Sequence, residues 1–255
     1  MKINKDKSIG RVLFIVEGGR TEFSLLRRIF CNVLGYEFIE KKRNKDRAVL
    51  YKSRNISTSK IAVINTEESN ISFICDENGY LDNVIEMLIS EFKFPIDDTS
   101  IYYIFDRDPK SNVDAALIRK LIAQLKNRYE NDDMRGGLLL LSYPSIESYV
   151  VSNFIDDAHL KQFALGEEVK AFIATKNAQI QYNKITDKTI ERAANEMMNY
   201  IKSEKLDFDI DDVSPINMAI FESQEKGYSH FKAYNLVSLL SVALIDLGII
   251  EIEKD

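Results

Sequence analysis

Apolar residues along this chain fall in short blocks separated by polar turns, and the spacing within each block predicts its element. Residues 11–16 (RVLFIV) carry five apolar residues in six and predict a strand buried on both faces. A polar turn follows. Residues 23–34 (FSLLRRIFCNVL) then gather their apolar side chains on one side, predicting a helix over about 22–34. Residues 37–59 are rich in charge and predict a mobile loop or insertion with one short strand at 48–51. Further strands are predicted at 61–64 and 71–75, and a helix over about 81–92. The FPIDDTS stretch breaks the chain with a proline and turn formers before a second all-apolar strand at 101–105 (IYYIF). An amphipathic helix over 113–129, a turn at NDDMRGG and a third apolar strand at 138–141 come next, and Pro144 is expected to open a helix.

Strands apolar on both faces, alternating with helices, predict an α/β fold with a parallel sheet covered on both sides. Beyond about residue 156 strand signals become sparse. Segments 167–175, 187–205 and 230–247 read as helices, with one strand at 249–252. The pattern therefore divides the chain into an α/β unit over 1–155 and a mainly helical region over 156–255. Residues 233–247 (AYNLVSLLSVALIDL) are apolar around much of the circumference, which predicts a core helix, with a homo-oligomer interface as the alternative.

Composition narrows the chemistry. With 255 residues, 45% apolar and 29% charged, the chain is an ordinary globular sequence long enough to bury a sizeable core. No apolar run approaches the ~18–20 residues that span a bilayer. The N-terminal MKINKDKSIGR leads to no signal-peptide core, so a cytoplasmic protein without a membrane partner is expected. Cys31 and Cys75 have no CxxC spacing, and His159 and His230 are isolated, which argues against a zinc ribbon, a disulfide framework and a Ser-His-Asp hydrolase. The net charge of −6 argues against attraction of nucleic acid by the whole surface, though not by a local groove or a bridging metal.

The candidate chemistry lies at the ends of the apolar strands, where open α/β sheets bind ligands. The first strand runs into Glu17-Gly18-Gly19-Arg20-Thr21-Glu22, the second into Asp106-Arg107-Asp108, and the third into Ser142-Tyr143-Pro144-Ser145-Ile146-Glu147. Asp106 and Asp108 are two apart and point to one side of an extended segment. Carboxylates that converge raise one another's pKa unless a cation neutralises them, and hard divalent ions prefer oxygen ligands. Gly18 and Gly19 leave space for a phosphate, and Thr21 is placed to N-cap the following helix. Each residue also has a plainer reading. Asp106 and Asp108 can be turn formers, and Glu22 and Glu147 first-turn acids that suit a helix dipole.

Taken together, VEGGRTE (16–22), FDRD (105–108) and SYPSIESYV (142–150) resemble, in order and spacing, the marks of RloB-like TOPRIM proteins. Those marks are an EGxxTE turn, a DxD strand end and an SxPxxE segment opening a helix. The resemblance covers roughly the first 155 residues and implies a TOPRIM-like sheet with a Mg²⁺ or Mn²⁺ site on its rim. It implies that Glu17 acts as general base or acid and contacts metal, and that Asp106 and Asp108 are metal ligands. Glu147 matches the acid of the third motif, and Glu22 the second acid of the turn. Tyr143 replaces the more usual Asn, and Ser145-Ile146 a bulkier aromatic. Related stand-alone TOPRIM proteins look like effectors of bacterial antiphage systems, often encoded with an ATPase of the ABC or AAA type.

Two functions follow as expectations. The first is a metal-dependent nuclease acting on DNA or RNA, with Glu17, Asp106 and Asp108 catalytic and Arg20, Arg107 and Lys110 steadying the phosphate. Residues 41–47 (KKRNKDR) either track a nucleic-acid backbone or form an exposed loop. The second is a non-catalytic partner or sensor whose helical region docks an ATPase or another copy of the chain.

Overall fold

Four strands of nearly unbroken apolar sequence lie side by side and parallel at the centre of the fold. The computed structural model describes residues 1–39, 48–66, 70–75, 79–128, 136–209 and 211–252. The main sheet runs through β1 (Arg11–Val16), β2 (Tyr36–Ile39), β3 (Ala48–Ser53), β4 (Lys60–Asn65), β5 (Thr99–Asp106), β6 (Gly137–Tyr143) and β7 (Val237–Ser238), in the spatial order β7-β6-β5-β1-β4-β3-β2, with the short strand Lys126–Asn127 added beside β6. β6, β5, β1 and β4 run parallel, while β3 and β2 extend one edge antiparallel and β7 closes the other. Every residue of β6 is buried, as are Val12–Val16 of β1 and all but the last residue of β5. Strands buried on both faces need cover on both, which explains their lack of alternation.

The helices are α1 (Thr21–Arg27), continued by a π-helical turn at Arg28–Val33, α2 (Tyr80–Ser90), α3 (Ala115–Gln124), α4 (Glu147–Phe154), α5 (Gly166–Thr175), α6 (Asp187–Ser203), α7 (Ser214–Phe231) and α8 (Leu240–Asp246). Helices α3, α4 and α8 pack on β6, α7 packs on α3, and α6 packs on α4. The helical region is tied to the rest of the chain by strands: β7 pairs with the end of β6 in the main sheet, and Ile250–Glu251 pairs with Lys2–Ile3 in a separate two-stranded sheet. Among the described residues no helix is long and apolar enough to cross a membrane.

Several sequence expectations are corrected. Residues 71–75 form a 3₁₀ turn, not a strand, with Ile71 and Ile74 buried. Side-chain carbonyls decide this, one distant and one local: Asn112 Oδ1 accepts from the Ile71 amide at 2.7 Å and Asn70 Oδ1 from the Ser72 amide at 2.8 Å. The stretch 37–59 is not mainly loop, because β2 and β3 pair through it and Phe38 meets Tyr51 with ring centroids 6.1 Å apart. The helix expected to reach 129 ends at Gln124, where Lys126–Asn127 leaves to pair with β6; Tyr129 lies outside the described residues. Pro144 does not open a helix, since α4 begins at Glu147. The segments 41–47 and 131–135 lie outside the described residues.

The C-terminal helix expected over 230–247 is broken. α7, which the pattern missed, runs to Phe231 and stops where Lys232 takes a left-handed φ of 56°. Tyr234–Asn235 then pairs with Gln162–Phe163, β7 joins the sheet, and only Leu240–Asp246 is helical. The apolar character is explained by burial, because Tyr234, Leu236, Val237 and Leu239–Ile245 are all inside the chain's own core.

Candidate functional site

The parallel register brings the three expected segments to one rim. Val16 of β1 lies opposite Ile104 of β5, and Asp106 lies opposite Ser142 of β6. The ladder continues past the strands, from the Glu17 amide to the Ile104 carbonyl at 3.2 Å and from the Arg107 amide to the Ser142 carbonyl at 2.8 Å. Beyond these ends opens a cavity of about 450 Å³ lined by six carboxylates (Glu17, Glu22, Asp106, Asp108, Glu147, Glu167) against two cations, Arg20 and Lys170.

Three of the carboxylates, Glu17, Asp106 and Asp108, are held by short hydrogen bonds from definite donors. Glu17 Oε2 accepts from the Asp106 amide at 2.8 Å and from Asn112 Nδ2 at 3.3 Å. Asn112 is fully buried and also donates to the Asp106 carbonyl at 2.7 Å, so one amide ties the ends of β1 and β5 together. Asp106 Oδ1 accepts from the Ile146 amide at 2.7 Å, just before α4. Asp108 Oδ2 accepts from the Gly166 amide at 2.8 Å, at the start of α5. A Cβ on Gly166 would stand 2.9 Å from Ser145 Cβ and 3.0 Å from that same Asp108 oxygen, so the close approach of α5 requires glycine. The plainer reading as turn formers holds for Asp108, whose Oδ1 also accepts from the Lys110 amide at 2.9 Å within its own turn, and both aspartates in addition anchor helix starts.

Glu22 and Glu147 complete the cluster. Glu22 folds back over Gly18, where a Cβ would lie 2.8 Å from its Oε2. The space at Gly18, expected for a phosphate, is taken by this carboxylate. Thr21 does not N-cap α1, which begins at Thr21 itself with Arg20 before it. Its hydroxyl instead points to Glu147 Oε1 at 3.5 Å. Glu147 Oε2 and Ser145 Oγ are buried with no hydrogen-bond partner.

Burial and mutual repulsion act on the acids. Burial, then the charges of Glu22 and Asp108, push Glu17 up to about 7 against the opposing bonds from Asp106 and Asn112. Burial raises Asp106 well above the usual carboxylate range, and Glu17, Glu22 and Glu147 add to it. Glu22 is raised by burial and by Glu147, and lowered by Lys170. Tyr182, in a 3₁₀ turn at Tyr182–Lys184, faces the same charges: burial, Glu147, Glu22 and Asp106 all raise its phenol. An oxygen-only donor set, short of positive charge and carrying an orphaned buried oxygen, fits a hard divalent cation such as Mg²⁺ or Mn²⁺.

Not every expected residue is here. Arg107 is buried and turned away: it makes a bidentate pair with Glu225 of α7 at 2.8 and 2.9 Å, donates to the Asn112 carbonyl at 2.7 Å, and lies over the Tyr234 ring. It has no role in holding a phosphate in this cavity. Lys110 pairs at the exposed rim with Glu167 at 3.3 Å. Gly19 and Arg20 line the cavity as expected. Lys170, Ser145, Asn112 and Gly166 were not foreseen. Lys170 Nζ stands 3.6 Å from Glu147 Oε1, and only the docking of α5 brings it there.

Among the described residues, one group brings three ligand atoms within 4.8 Å of one another: Asp157, His159 and Glu196. The strand-end acids are spread more widely around their cavity. Glu196 is already engaged by the amides of Asp157 and His159 and by His159 Nδ1 at 2.7 Å, so it clamps the Ala158–Leu160 turn onto α6. No protein-family model matches the chain, and no curated protein or solved structure matches it either.

Proposed function

We propose that this protein is a divalent-metal-dependent nuclease of the TOPRIM type that hydrolyses nucleic-acid phosphodiesters. The observation that carries this reading is the gathering of six carboxylates, three from the ends of two adjacent parallel strands and three from the first turns of three helices, around one cavity with only two cations. Such a cluster is costly without a counter-ion and suited to holding one.

In this reading Glu17, Asp106, Asp108, Glu22 and Glu147 hold Mg²⁺ or Mn²⁺. When bound, the ion supplies Lewis-acid polarisation of the phosphoryl group and activation of the attacking water. Glu17, which burial and neighbouring charges push up to about 7 before any ion binds, is suited to taking or giving a proton at its carboxylate. Lys170, beside Glu147, supplies the cation that meets charge developing on the phosphate. Asn112 positions Glu17, and the Ile146 and Gly166 amides position the two aspartates. The antiphage setting and the ABC- or AAA-type ATPase partner belong to this proposal through the resemblance of the three motifs alone.

A second reading rests on the same bonds. Because Asp106 and Asp108 anchor α4 and α5, they are also suited to a non-catalytic module. The deciding experiment incubates the protein with plasmid DNA, single-stranded DNA and total tRNA, each with Mg²⁺, Mn²⁺ or EDTA, beside Asp106→Asn. Cleavage that needs both metal and Asp106 is expected. Its absence in every lane, together with no effect of either ion on Tm, overturns the nuclease reading.

A further inference from the structure

Helix α1 links the carboxylate cavity to a second cavity of opposite charge. Thr21 lines the first. Seven residues on, Arg28 falls on the same stripe of the helix, ~10 Å along it. There it lines a cavity of about 480 Å³ with Lys5, Asn32, Thr186, Asp187 and Lys188. Three cations against one carboxylate make this a local positive site in a chain whose net charge is −6. A short segment also relates the two: the charges of Glu147, Glu22 and Asp106 reach the Tyr182 phenol, and three residues later the Ile185 carbonyl, in the lining of the second cavity, holds Arg28.

The cations are placed, and two of them have donors to spare. Arg28 uses Nε and Nη2 on the Ile185 carbonyl at 3.2 and 2.9 Å, which fixes the guanidinium plane and leaves Nη1 without a partner among the described residues. Lys188 is exposed and has no partner among the described residues. Lys5 is neutralised by Asp187 at 2.7 Å. The start of α6 is satisfied by the Thr186–Thr189 capping box, so the attraction comes from the side chains and not from the helix end.

We propose that this cavity is a phosphate subsite, in which Arg28 and Lys188 hold a backbone phosphate of the strand whose scissile bond lies at the carboxylates. The identity of the ligand rests on the nuclease reading; the charge and placement of the cavity do not. The physical need is plain. A cavity lined by six carboxylates repels a polyanion, and a cationic foothold beside it supplies the attraction that brings the strand in. The foothold also sets direction, because the strand must lie along α1 past Tyr182.

The test is fluorescence anisotropy with labelled 20-nucleotide single strands of DNA and of RNA, in EDTA to prevent cleavage, over a series of NaCl concentrations. Lys188→Glu is compared with Lys202→Glu, the same charge change in the last turn of α6, so that net charge is matched. Lys188→Glu is expected to weaken binding on the order of tenfold and to lower the salt slope by about one, while Lys202→Glu stays near wild type. Arg28→Gln, checked for an unchanged Tm, is expected to act like Lys188→Glu. Equal affinities and slopes for the Lys188 and Lys202 variants overturn the proposal. If cleavage still needs Asp106 in that case, the nuclease reading stands without the subsite. Binding that depends on Lys188, with no metal-dependent cleavage and no effect of Mg²⁺ or Mn²⁺ on Tm, keeps the phosphate subsite and removes the nuclease.

Discussion

The Asp106 backbone amide donates to Glu17 Oε2 at 2.8 Å, so the acid ending one central strand is oriented by the backbone of the acid ending the next. This bond explains how two carboxylates that repel each other stay together: a backbone dipole, assisted by the Asn112 amide, steadies Glu17 while both side chains remain buried or partly buried. The arrangement leaves excess negative charge, and most of the expected behaviour follows from it.

Asp106→Asn keeps an acceptor for the Ile146 amide while removing a carboxyl whose ionisation is opposed by burial and by Glu17, Glu22 and Glu147. In EDTA its Tm is expected to rise above wild type. Metal-dependent cleavage is expected to fall by a factor on the order of 10²–10³. Differential scanning fluorimetry beside the cleavage panel reads both. A lower Tm with unchanged cleavage would mark Asp106 as a helix anchor only.

Stability should depend on pH through Glu17. Its folded pKa of about 7 lies above the ordinary 4.5, so between those values the folded chain binds more protons than the unfolded one. Stability is therefore highest below about 4.5 for this group, falls as pH rises to about 7, and is flat above it. The fall attributable to Glu17 is on the order of 3 kcal/mol. Urea denaturation in EDTA at pH 5 and pH 8 measures it, and Glu17→Gln is expected to remove this component. An equal pH dependence in Glu17→Gln would contradict the assignment.

Divalent ions should reverse that penalty. At pH 8, Mn²⁺ or Mg²⁺ at a hundred times its Kd is expected to stabilise the protein by about 2.7 kcal/mol, seen as a rise in Tm. The rise should be absent in Asp106→Asn. A rise of the same size in Asp106→Asn would place the ion elsewhere, and Asp157, His159 and Glu196 would be the first group to substitute.

Arg107 is a structural residue, and its loss should be costly. Arg107→Ala leaves Glu225 without its bidentate partner in a largely buried position, with an expected loss of about 3–5 kcal/mol in equilibrium denaturation. Lys110→Ala, at an exposed rim pair, is expected to change stability by less than about 1 kcal/mol. Similar effects of the two substitutions would refute the burial argument.

Much of the layout follows from local pattern. Five apolar residues in six at 11–16, and the runs at 101–105 and 138–141, have no polar face to turn to water, so each had to become a strand covered on both sides. The Asp106–Asp108 spacing also placed those two acids together, and the same two-residue period turns Arg107 to the opposite side, where it meets Glu225. That orientation was legible in the sequence, although the charge of Arg107 suggested a phosphate contact.

What the chain could not determine locally is set by contacts between residues far apart in sequence. Ile71–Cys75 has strand-forming residues, yet Asn112, 41 positions away, takes the Ile71 amide and the segment coils. The apolar stretch at 233–247 satisfies burial in any conformation, so its division into strands and helix depends on the edge of β6 being open to β7. Lys170 and Gly166 carry no motif and enter the site only because α5 docks on Asp108. Hydrophobic period is a property of neighbouring residues and reads directly from the sequence. Hydrogen-bond partners and charge neighbours across the fold are decided by which surfaces meet, and only the tertiary structure decides that.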